Sequence, residues 1–116
     1  MMPRVVDPEH VPDQGLGPIA TEIVYEDEHV RIWTHLLGPG VAGPLHRHDH
    51  DYVIIDVEGD RIAAEPVPGT GGEYDEYIEA PVKRGQSIFL RAGGVERAVN
   101  VGETPYRTVI VELKHG

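Results

Sequence analysis

Three histidines, His46, His48 and His50, stand at alternate positions in the stretch GPLHRHDHDYVIIDVEGD, and Tyr52 is next in phase. On an extended chain residues i and i+2 share a face. The three imidazoles and the phenol therefore line up, while Arg47, Asp49 and Asp51 point the other way. Two imidazoles at that spacing can meet one ion. With a third ligand from a neighbouring strand they make a site for iron, manganese, nickel, copper or zinc. Without an ion the same groups suit acid–base work, because imidazole titrates near neutral pH and a phenol in a dry pocket can donate to a developing oxyanion. A third reading is plain structure, with Tyr52 capping a barrel, its ring buried and its hydroxyl wet. Spacing leaves all three open.

The elements that must hold these residues are short. Gly and Pro together supply 24 of the 116 residues, from counts of 14 and 10, and they punctuate the chain every ten or so positions. Between them lie segments rich in Val, Ile, Thr and Tyr, the pattern of an antiparallel all-β domain. The expected strands cover residues 19–26, 30–37, 45–57, 61–67, 77–82, 86–91, 96–101 and 106–113. That is eight, with the histidine comb and the aliphatic run on one continuous strand. In the second strand Val30, Ile32, Thr34 and Leu36 form the core face. Trp33, between Arg31 and His35, lies on the other face, under the N-terminal arm or in a dimer contact. Gly59, Gly85 and Gly93 read as turn positions needing positive φ. Asn100 reads as a turn-tying side chain. Residues 1–18 are Pro-rich and form an extended arm, and residues 19–116 form one domain.

Composition narrows the partners. Acidic residues outnumber basic ones 20 to 10, for a formal charge of −10. Such a field repels phosphate backbones and anionic lipid heads, so neither nucleic acid nor a membrane surface is an expected partner. No run approaches the ~18 apolar residues of a membrane helix. The chain has no cysteine, which excludes disulfides and thiolate sites and suits the cytoplasm. The N-terminus lacks the apolar region of a signal peptide.

Longer motifs carry a resemblance. Gly40, His46, His48 and Gly59 fall in register with G-x5-H-x-H-x3-E-x6-G, with Tyr52 at the Glu position. Gly85, Gly93 and Asn100 fit G-x5-P-x-G-x2-H-x3-N, with Arg91 at the Pro position and Glu96 at the His position. In these respects residues 19–113 resemble the cupin superfamily, the RmlC-like proteins. The segments YEDEHVRIW, HRHDHDYVII and RAVNVGETPYRTVIVELK resemble small single-domain cupins of the β-alanine-degradation type.

The resemblance implies an all-β jelly-roll barrel of about eight antiparallel strands, commonly a homodimer. It also implies a metal inside the barrel held by two His and one Glu of the first motif and one His of the second. Carried across, His46 and His48 match ligands, and Glu96 would supply an oxygen where the family uses nitrogen. The three then form a two-His, one-carboxylate set, as in non-haem Fe(II) oxygenases. Fe(II) is the favoured divalent transition metal, with Mn, Ni, Cu or Zn as substitutes and no metal as the alternative. His50 and Tyr52 are the expected proton donors or substrate contacts. Arg91 is a candidate clamp for a substrate carboxylate or else a surface ion pair. The expected function is a dioxygenase-like reaction or a metal-assisted rearrangement of a small organic acid or related metabolite. The alternatives are a metal-free isomerase, epimerase or lyase, and a non-catalytic small-ligand-binding module.

Overall fold

A computed structural model describes residues 16–115. Most of the expected arm, residues 1–15, lies outside them. Nine strands run in the order β1 (Glu22–Glu26), β2 (Val30–Leu37), β3 (His46–Arg47), β4 (Asp51–Glu58), β5 (Arg61–Pro66), β6 (Ile78–Pro81), β7 (Ser87–Leu90), β8 (Val95–Asn100) and β9 (Tyr106–Leu113). Every pairing is antiparallel. One sheet has the order β1-β2-β9-β4-β7 and faces a second with the order β3-β8-β5-β6. The fold is thus all-β and jelly-roll, with no helix among the described residues.

The extra strand arises because the expected continuous segment 45–57 breaks at residues 48–50. Its first part pairs with β8 in the four-stranded sheet, and its second crosses to pair with β7 and β9 in the other. Pairing ends at Arg47↔Val95, where the segment leading into β8 turns through Gly93 and Gly94, both at positive φ. Propensity alone cannot reveal a strand that changes sheets, because both halves remain extended.

The inner face of the five-stranded sheet also departs from expectation. His35 and Leu37 are buried, whereas Leu36 is exposed. The indole of Trp33 packs against Ile19, Ala20, Tyr52, Leu90 and Ile110, and its Nε1–H donates to Glu112 Oε1 at 2.6 Å. The expected core face of β2 is therefore the outer one. Alternation misleads here because both faces of this sheet are apolar. On the outside Tyr25, Ile32, Val111, Val53 and Phe89 form one cross-strand row over five strands. Its two ends, Tyr25 and Phe89, are half exposed.

The turns follow their residue types. Gly59, Gly85 and Gly93 all take positive φ. Fully buried Asn100 donates from Nδ2 to the carbonyls of Leu37 and Thr104, and its Oδ1 accepts from the Gly102 N–H. That side chain clamps the β8–β9 turn to the end of β2. No helix of the described residues is long and apolar enough to cross a membrane.

Candidate metal centre

His46 on β3 lies directly opposite Glu96 on β8. Two positions on, His48 has left β3 but keeps the inward direction. Its backbone is held at both ends by the β7–β8 turn: the His48 N–H reaches the Gly94 carbonyl at 3.4 Å and the Gly93 N–H donates to the His48 carbonyl at 2.7 Å. Both rings are buried, with 5% and 4% exposure, while the Glu96 side chain is 21% exposed. The ring nitrogens His46 Nε2 and His48 Nε2 stand 3.0 Å apart, and His48 Nε2 is 3.2 Å from Glu96 Oε1. One ligand atom from each of the three residues falls within 4.8 Å of the others.

Protons can be assigned from the partners. The Pro44 carbonyl, 3.1 Å from His46 Nδ1, can only accept, so Nδ1 carries the hydrogen and Nε2 offers a lone pair. His48 Nε2–H then donates towards His46 Nε2 and Glu96 Oε1. His48 Nδ1 is buried without a hydrogen-bond partner among the described residues. Burial, reinforced by the neighbouring His48, holds the His46 imidazole below its ordinary pKa. Burial alone would raise the Glu96 carboxyl, but the hydrogen bond and charge of His48 outweigh it and the net shift is downward. The cluster therefore offers a neutral imidazole and a carboxylate at neutral pH.

These donors fit a single divalent ion. Nitrogen and oxygen donors at about 2.1 Å from one ion stand roughly 3.0–3.4 Å from one another, which brackets the two closest separations here. The Pro44 bond already orients His46, as an outer partner should. On His48 the proton must move from Nε2 to the unpartnered Nδ1 before Nε2 can bind an ion.

Tyr52, on β4, joins the cluster from the facing sheet. Its ring stacks on His48, with centroids 3.9 Å apart and planes 8° from parallel, and its hydroxyl donates to Glu96 Oε1 at 3.3 Å. Burial, then the Glu96 charge, raises its pKa. His50 is half-buried at the crossing between β3 and β4, where no described contact joins it to the cluster. Arg91 is exposed at the end of β7, with its Nε 3.8 Å from Glu73 Oε1.

The cluster opens on a cavity of about 150 Å³ between the two sheets. His46, His48 and Glu96 line it together with apolar Ile54, Ile88 and Ile110. Tyr52, His50 and Arg91 do not line it. Tyr52 reaches Glu96 from a smaller cleft behind. His35 lines the cavity, on the face of β2 opposite the one its alternation marks as core. Its signal was its phase with Leu37 on β2, hidden by the competing alternation of Ile32, Thr34 and Leu36.

The two-sheet architecture with a histidine–carboxylate cluster between the sheets is the cupin fold, the double-stranded β-helix. A cupin domain from Bordetella pertussis Tohama I superposes with a TM-score of 0.69 at 22% identity, over 89% of this chain and 99% of that one. An RmlC-like cupin from Methanocaldococcus jannaschii gives 0.61 at 19% identity, over 81% and 78%. The DMSP lyase DddQ from Ruegeria pomeroyi gives 0.54 at 13% identity, over 75% of this chain and 39% of that one. No protein-family model and no curated protein sequence matches this chain.

Proposed function

We propose that the protein binds one divalent transition metal through His46, His48 and Glu96 and acts on a small organic acid or related metabolite in the adjoining cavity. The observation that carries this reading is the convergence of three buried or half-buried donors, 3.0 and 3.2 Å apart, on the wall of a largely apolar cavity. Two imidazoles and one carboxylate are a donor set for Fe(II), with Mn, Ni, Cu or Zn as substitutes. A bound ion would supply Lewis acidity and, for iron, redox chemistry. The chain's own residues have separate tasks. His46 is preset by Pro44 to present a lone pair. Tyr52 orients Glu96 through its hydroxyl and His48 through its ring. The isoleucines exclude water from what is bound.

The test is elemental analysis after loading with Fe(II), Mn(II) or Zn(II), repeated on His46→Ala. About one ion per chain is expected for the native protein. If a structural zinc site's roughly 10–16 kcal/mol is shared among four ligands, losing one costs about 2.5–4 kcal/mol, or roughly 10²–10³ in affinity. Absence of stoichiometric metal in the native protein, or equal affinity in the variant, overturns the reading.

A metal-free acid–base site is the second reading. It is favoured by the unbroken chain of contacts from His46 through His48 and Glu96 to Tyr52, which satisfies three of these groups with no ion. The Ruegeria neighbour is a DMSP lyase, a reaction class that either reading accommodates. Turnover that survives chelation and shows a limb near neutral pH would select it.

We propose in addition that two copies pair through the outward row from Tyr25 to Phe89. Val111 on the central strand sits at its middle, so a two-fold axis there sets the row against itself. Sedimentation of a dimer, reduced to monomer by Phe89→Asp, is the expected result; a native monomer refutes it.

A further inference from the structure

His35 is the least satisfied buried group in the cavity. It is 4% exposed, and neither Nδ1 nor Nε2 has a hydrogen-bond partner among the described residues. Orphaned buried polar atoms each cost about 1–3 kcal/mol, so a site that keeps two of them invites a partner. The ring belongs to a polar row on the inner face of the five-stranded sheet. His35 is in register with Thr108 on β9, and Thr108 with Asp56 on β4. All three line the cavity, as does Tyr106, whose ring meets His35 edge-on at 6.3 Å.

The other members of the row are occupied. The Thr108 hydroxyl donates to the Ile55 carbonyl at 2.8 Å. Asp56 Oδ2 faces the Lys83 N–H at 3.3 Å. Within this row only His35 has, among the described residues, both ring nitrogens buried without a partner. His46 and Glu96 belong to the facing sheet, and the isoleucines lie in the same lining.

We propose that His35 is a second recognition point, which binds an uncharged hydroxyl or carbonyl group on a ligand whose other end lies at His46, His48 and Glu96. This deepens the functional reading above and rests on the cavity being a small-molecule site. A charged carboxylate is disfavoured at this wall because Asp56 shares the row. The ligand class is a small, largely apolar molecule, near the size of a substituted benzene for about 150 Å³. It carries one acidic or chelating head and one neutral polar group. His35 stays neutral because burial lowers its pKa, and neutral imidazole can both give and accept one hydrogen bond.

The experiment uses phenol and toluene, which differ by a hydroxyl in place of a methyl, as probes of the metal-free full chain. Ligand-observed NMR titration measures the ratio of the two affinities. In the native protein phenol should shift the His35 ring-nitrogen resonances and toluene should not. In His35→Leu the ratio should move towards toluene by about tenfold, the worth of one neutral hydrogen bond. His35→Gln, which keeps a donor and an acceptor, should retain part of the preference. The proposal is overturned if neither probe binds, if phenol perturbs His46 or His48 and not His35, or if the ratio is the same in His35→Leu. Should the leucine variant fail to fold, the ring-nitrogen shifts of the native protein decide. A failed metal-loading experiment would sink the metal reading and leave this ratio untouched.

Discussion

Replacing Tyr52 by Phe removes one oxygen from the centre of the proposed site and leaves the rest in place. The ring keeps its stack on His48 at 3.9 Å. What is lost is the donation to Glu96 at 3.3 Å. A hydrogen bond to a charged group contributes about 1.5–3 kcal/mol, but this one is long and its acceptor is partly solvated, so about 1 kcal/mol is the expected loss. For a domain of this size that is roughly 4 °C in Tm. Glu96 keeps its contact with His48 at 3.2 Å, so metal affinity should change by less than about tenfold. Thermal melts followed by circular dichroism and competition with a chromophoric chelator read the two quantities separately. An affinity loss beyond about 100-fold with the fold intact would make the phenol oxygen a ligand and refute its orienting role. An unchanged Tm would show that the hydroxyl contributes nothing to holding Glu96.

Asn100→Ala should cost about 3 kcal/mol, since it orphans two carbonyls and one N–H of a buried turn; chemical denaturation measures it. Gly94→Ala places a Cβ 2.7 Å from the Gly72 Cα at φ +83°, so a loss of about 2–4 kcal/mol is expected. Because Gly94 also accepts from His48, metal affinity should fall with it, and a chelator titration at low temperature shows whether it does. Stability should decline on acidification. Burial holds His35 and His46 below the usual 6.5, so the unfolded chain takes up protons that the fold refuses. The slope is therefore positive with pH, with a loss that begins as pH falls through about 6.5 and approaches 1.4 kcal/mol per pH unit per group. Glu96, whose carboxyl is held below 4.5, adds its own loss only under that pH. Urea melts between about pH 7.5 and about pH 5.5 test the sign, and His35→Leu should reduce the slope by about one group's share.

The amino-acid sequence by itself determined the all-β architecture, because branched aliphatic runs cut by Gly and Pro leave no length for a helix. It also determined the glycine turns and the role of Asn100, which depend on backbone freedom and local hydrogen bonds within a few residues. The pairing of His46 with His48 was equally legible, since two residues apart on an extended chain share a face wherever the strand lies.

Tertiary structure alone decided the rest. Glu96 is 50 positions from His46, and only the β3–β8 register sets them opposite each other. The same closure moves His50 out to a corner and brings Tyr52 back from the other sheet, though all four aromatic rings were in phase along the chain. It also turns Trp33 and His35 inward, because a sheet apolar on both faces has no alternation to show which side is the core. Local periodicity states which side chains travel together; which of them face each other depends on how the sheets close.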